Sequence, residues 1–191
     1  SDQVRNVATV GGNICTAASC CDTAPVLIAY NTQMEIQGKK GTRTISLKDF
    51  FVFNKKTTLQ KDEVVTMFII PKTAKGTGVH YEKFGLREAM SISVVSVAVL
   101  VKAEKGIVTN NCVVIGAVAP TPRISQNATD ILNGVKISDL TEGSETLEKI
   151  GMAASNDSIP IDDIRGGAQY RRDVLTTLTQ RAILSAIKNI Q

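Results

Sequence analysis

Tryptophan is absent from this chain, and its 191 residues include only five phenylalanines and three tyrosines. So few aromatic platforms argue against a surface that stacks the bases of single-stranded nucleic acid. Histidine occurs once, at His80 within a β-prone run, and no G-x-S-x-G is present, so a Ser–His–Asp arrangement has no footing. Of the four cysteines, Cys15, Cys20 and Cys21 form one cluster and Cys112 stands apart, so there is no second pair. Zinc sites use two paired elements, and the plant-type iron–sulfur pattern needs a further cysteine that is missing here, so free or structural thiols are expected and no metal. The longest apolar run, 94–101, falls far short of a membrane span. Ser1-Asp2-Gln3 lacks the basic and apolar regions of a secretory signal, which makes the cytoplasm the expected compartment.

What is present is ordinary for a folded domain: 43% hydrophobic and 21% charged residues, with a formal net charge of +4. Lysine pairs at Lys39-Lys40 and Lys55-Lys56 read as solvated loop charges, and no basic run is dense enough for a nucleic-acid arm.

Along the chain, "DTAPVLIAYN" reads as a short helix with Asp22 as N-cap and Val26, Leu27, Ala29 and Tyr30 on one face. "MEIQG" and "TRTISL" form a hairpin pattern around "KKGT", and "DEVVTMFIIP" is a strand ending at Pro71. The glycine- and lysine-rich stretch 72–78 suggests a boundary, giving units 1–75 and 76–191. In the second unit "VHYEKFG" reads as a strand, and two long β-prone runs flank the turn "EKG". "PTPRIS" breaks the pattern, and three helices follow, near 125–133, near 143–155, and in "YRRDVLTTLTQRAILSAIKNI". The last places Val174, Leu175, Leu178, Ala182, Ile183, Ala186 and Ile187 on one face. Hairpins followed by helices, without strand–helix–strand repeats, indicate an α+β fold.

One stretch carries candidate chemistry. "ATVGGNICTA", residues 8–17, sets Gly11 and Gly12 side by side, but lacks both the Rossmann and the P-loop fingerprints. Consecutive peptide N–H groups without side chains suit an anion or a carbonyl, with the Thr9 hydroxyl and the Asn13 amide nearby. A plain turn explains the glycine pair equally well, and both readings stand at this point.

"QVRNVATVGGNI" followed by Asp-x-x-Pro resembles the flavin subunits of molybdenum hydroxylases, the xanthine dehydrogenase and aerobic carbon monoxide dehydrogenase type. "GTRTISLKDFF", "LQKDEVVTMFIIP", "YEKFGLREAMSISVVSVAV", "IGAVAPTPRI" and "AQYRRDVLTTLTQRAI" resemble further segments of those subunits in the same order. The resemblance implies the second lobe of a vanillyl-alcohol-oxidase-type FAD-binding domain, then a small α+β domain with an antiparallel sheet and C-terminal helices. It implies FAD, with electrons arriving from iron–sulfur clusters and leaving to NAD or another acceptor. The molybdenum cofactor and the clusters belong to partner subunits. Carried over by position, Thr9, Val10, Gly11, Gly12 and Asn13 form an FAD-contacting loop, Asp22 bonds the cofactor, Val65 packs near the adenine, and Lys83 lies near the ring. Cys15 departs from the aliphatic residue usual at its position. Read without the resemblance, Asp22 is an N-cap and Lys83 a strand-edge charge.

Members of that family carry about a hundred further residues before this point, the size of a small lobe. Those residues include a first glycine-rich loop that nothing in 1–191 matches. The chain therefore reads as the C-terminal portion of a longer flavoprotein whose other lobe lies elsewhere, with weak or undetectable FAD binding of its own. The alternative is a flavin-free module that docks to iron–sulfur and molybdenum subunits.

Overall fold

The computed structural model describes residues 2–190. Two short helices open it, α1 (Asp2–Val7) and α2 (Val10–Thr16), followed by α3 (Thr23–Ala29). Then come β1 (Gln33–Gly38), β2 (Gly41–Ser46), a 3-10 turn at Leu47–Asp49, β3 (Phe51–Phe53), β4 (Lys56–Thr57) and β5 (Val64–Ile69). The second half contains β6 (Thr77–Phe84), β7 (Val95–Glu104), β8 (Ile107–Gly116), β9 (Arg123–Ile124), α4 (Gln126–Leu132), α5 (Glu145–Asn156) and α6 (Ala168–Lys188).

All strand pairings are antiparallel, in sheets ordered β2-β1-β5, β3-β4 and β6-β7-β8-β9. The β7–β8 hairpin closes on Lys105 and Gly106, both at positive φ, which is the two-residue turn whose twist matches its strands.

That hairpin is the centre of the molecule. Val95, Val97, Val99 and Val101 alternate onto one face with Val113 and Ile115, where α4, α5 and α6 cover them. Ala98 and Val114 join the opposite face, under α3 and the residues of β1. Both faces of β7 are thus buried over most of its length, which is why residues 97–101 form an unbroken apolar run rather than an alternating one. The second cluster joins residues from both halves: Met34, Ile36, Phe50 and Ile14 share it with Ala98 and Val114.

In α6, Leu175, Leu178, Ala182, Ile183 and Ala186 are buried on the face expected from their spacing, with Val174 and Ile187 packed at its margin. The N-terminal segment is helical at α1 although no residue of that helix is buried. Two local readings are corrected. The glycine pair is neither loop nor turn but the first turn of α2, started by Thr9, whose hydroxyl accepts the Gly12 N–H at 2.9 Å. That cap offsets the low helix propensity of two glycines. "PTPRIS" also keeps a two-residue strand, β9, on the edge of the large sheet. No helix among the described residues is long and apolar enough to cross a membrane.

Candidate functional site

Asp22 stands at the N-cap position of α3 but makes no capping bond. Asn13 caps instead, its Oδ1 accepting from the Thr23 N–H at 3.2 Å and the Thr23 hydroxyl at 2.6 Å. The Asp22 carboxylate points the other way, toward β6. Its Oδ2 accepts from Lys83 Nζ at 2.6 Å, and its Oδ1 accepts from the Tyr81 phenol at 3.1 Å and from the Ser93 hydroxyl. Tyr81 and Lys83 are two residues apart on one strand, so both side chains leave the same face of β6. Burial first, and then the Asp22 charge, raise the Tyr81 pKa, so the phenol stays protonated and donates.

Asp22 and Lys83 line a cleft of about 710 Å³ whose far wall is the segment Gly85–Ser91. Gly11, Gly12 and Val65 meet at a second opening, a groove of about 470 Å³ between α2 and β5 that Cys15, Leu59 and Glu63 also line. Five of the eight sequence-derived site residues therefore face these two openings. Thr9 and Val10 are exposed at the start of α2, and Asn13 has its carbonyl turned inward to α3.

At the groove, the N–H of Gly12 is taken by the Thr9 side chain and that of Asn13 by the Thr9 carbonyl at 3.0 Å. The N–H groups of Val10 and Gly11 are the uncommitted donors of the first turn. A Cβ on Gly11 would meet no atom within 4 Å, so the main chain there faces open space. Across the groove, Arg43 grips Glu63 with two 2.8 Å bonds, and Glu63 also accepts the Gln60 N–H. The guanidinium holds the Glu63 carboxyl down at about 2, so it is ionised throughout the neutral range.

The thiols divide by burial. Desolvation pushes Cys21 up to about 12 and Cys112 to about 11, and it raises Cys15 as well, although that side chain is exposed. Alkylation at neutral pH followed by peptide mass mapping should modify the exposed Cys15 ahead of Cys21 and Cys112, which burial both shields and keeps protonated.

Sequence reasoning missed Tyr81 and Ser93. Tyr81 had a signal, its i, i+2 spacing to Lys83. Ser93 lies 71 positions from Asp22, and nothing local marks it.

Residues 1–73 match the model of the FAD binding domain in molybdopterin dehydrogenase, and residues 80–186 match that of the CO dehydrogenase flavoprotein C-terminal domain. The chain belongs to the flavoprotein-subunit family of xanthine and carbon monoxide dehydrogenases. It is 30% identical to a putative xanthine dehydrogenase FAD-binding subunit of Escherichia coli over 97% of this chain and 62% of that protein. It is 33% identical to the nicotine 6-hydroxylase medium subunit of Paenarthrobacter nicotinovorans, over 96% of this chain and 62% of that one. The carbon monoxide dehydrogenase structure from Hydrogenophaga pseudoflava superposes with a TM-score of 0.93 at 28% identity, covering all of this chain and 64% of its counterpart. The chain thus spans less than two thirds of the relatives it matches.

Proposed function

We propose that this chain is part of the FAD-binding electron-transfer subunit of a molybdenum hydroxylase, within a multi-subunit oxidoreductase of the cytoplasm. The observation that carries the reading is the bare main chain of Gly11 set opposite Val65 in one groove, with the Asp22–Lys83 pair lining a second cleft. The donor set fits an FAD. The free N–H groups of Val10 and Gly11 suit anionic oxygens or ring carbonyls, and Val65 offers an apolar wall to a purine. Asp22 Oδ2 has a lone pair left for a hydroxyl after Lys83 is served. When bound, FAD supplies the redox chemistry, taking electrons from iron–sulfur clusters and giving them to NAD or another acceptor. Lys83 contributes a fixed positive charge beside the site. In this reading residues 1–75 are the second lobe of a vanillyl-alcohol-oxidase-type domain and 76–191 the following α+β domain. An N-terminal FAD lobe, an iron–sulfur subunit and a molybdenum-cofactor subunit are the partners, and nucleic acid is not.

Gly11→Leu tests this directly. Leucine is a good helix former, and a Cβ at this position meets no atom within 4 Å, so folding should be unharmed. The side chain would fill the groove, and FAD affinity, followed by flavin fluorescence with a preceding lobe supplied, should fall by about tenfold or more, roughly 1.4 kcal/mol. Equal affinity in both proteins would sink the assignment of this groove.

A second reading, a flavin-free docking module, draws on the exposed apolar residues Phe53, Ile159, Ile161 and Ile164. It predicts a colourless chain that still co-purifies with partner subunits.

A further inference from the structure

The eight-residue segment Gly85–Ile92 leaves the end of β6 and returns at Ser93, and its base is closed by the Val94 N–H bonding the Phe84 carbonyl at 2.9 Å. Ser93 is 1% exposed, so its hydroxyl has no water to turn to, and it donates to Asp22 Oδ1. The Tyr81 phenol donates to the same oxygen from the strand. Two hydroxyls from different elements thus converge on one carboxylate oxygen and leave the other for Lys83. A carboxylate held by one donor can still rotate about that contact. Donors from two directions fix its plane, and the direction in which Oδ2 faces the ammonium is fixed with it.

We propose that Ser93 and Tyr81 are positioning residues: their hydroxyls orient the Asp22 carboxylate, and through it they hold the Lys83 ammonium at the mouth of the cleft. This rests on the reading of that cleft as a flavin site, where a lysine tunes a cofactor only if its charge stays in one place. The Lys83 side chain is otherwise long and flexible, and an ion pair with a partly exposed carboxylate would not by itself keep it ordered.

The network can be tested on the full chain without flavin, by NMR of the lysine side-chain ammonium groups in Ser93→Ala and Tyr81→Phe. In the wild-type chain the Lys83 ammonium signal should be sharp and protected from exchange with water. Each substitution should broaden it or quicken its exchange several-fold, and Ser93→Thr, which restores a hydroxyl, should recover it. The Lys102 ammonium, paired with Glu104 at 2.6 Å elsewhere on the sheet, should not change in any variant and serves as the control for general loosening. An unchanged Lys83 signal in both variants overturns the proposal, as does equal broadening at Lys102.

A second measurement separates this inference from the reading it rests on. With FAD loaded in the presence of the preceding lobe, Ser93→Ala should shift the flavin midpoint potential downward, since a less ordered cation stabilises the reduced, anionic form less. FAD bound with an unshifted potential overturns the role of the network in tuning. A wild-type chain that takes up no FAD overturns the flavin reading itself, while the ammonium signals still decide whether the network exists.

Discussion

Gly78→Ala is expected to destabilise the chain by about 3 kcal/mol or more, at the upper end of what overpacking costs. A Cβ at this position would lie 1.9 Å from the Ala186 carbonyl oxygen, 2.8 Å from the Ile190 nitrogen and 3.0 Å from the Asn189 carbonyl carbon. All three are main-chain atoms, so no rotamer change can make room. The end of α6 must lift from β6, breaking the 3.0 Å bond from Asn189 Nδ2 to the Val79 carbonyl. Gly78 does not have a positive φ, so backbone strain plays no part and the effect comes from contact alone. Urea unfolding would report it as a lower midpoint with an unchanged slope. An unchanged midpoint would mean that the helix end is not seated on the strand. Gly11→Ala, which meets nothing, is the matched control and should leave stability equal or slightly raised.

Removing the carboxylate at Asp163 is the second large effect. Arg171 is 2% exposed, the bulkiest of the fully buried side chains, and donates to the carbonyls of Val94 and Ala117 and to Asp163 Oδ1 at 2.6 Å. It thereby ties α6 to the ends of β7 and β8. Asp163→Asn leaves that guanidinium without its counter-charge, and the expected loss is about 3 kcal/mol. The double substitution Asp163→Asn with Arg171→Met should cost less than the sum of the two, because the stranded charge goes with it.

The same pair predicts a pH dependence. Hydrogen bonding from Arg165, with the Arg171 charge adding to it, lowers Asp163 from 3.8 to about 2. A carboxyl whose folded value lies below its unfolded one stabilises the fold above the unfolded value, and that contribution is lost as pH falls toward the folded value. Wild-type stability should therefore drop between about pH 4 and 2, and Asp163→Asn should show a shallower drop across that window. Acid titration of the unfolding midpoint measures both.

Some of this architecture could be read directly from residue order. The face of α6 repeats at helical spacing over 21 residues, and a pattern that long is hard to mimic. The β7–β8 hairpin announces itself through two β-prone runs around a Lys-Gly turn. The helix at the glycine pair is hidden for a physical reason: α2 carries two poor helix formers. What starts α2 is one hydroxyl, that of Thr9, whose signal is easily lost beside two glycines.

Asp22 shows where local reading ends. As a residue preceding "TAPVLIA" it is a natural N-cap, and chain order gives no reason to look further. Its partners are 59, 61 and 71 positions away, brought to it only when α3 packs on one face of the large sheet. The sequence by itself determined the α+β class, the long hairpin, the last helix with its buried face, and the family, because these rest on periodicity and on ordered local motifs. The tertiary structure alone decided that Asn13 caps α3 in place of Asp22, that Gly11 and Val65 share a groove, and that Ser93 and Tyr81 hold the Asp22–Lys83 pair. Those contacts join distant elements, and their geometry follows from how faces stack rather than from any spacing along the chain.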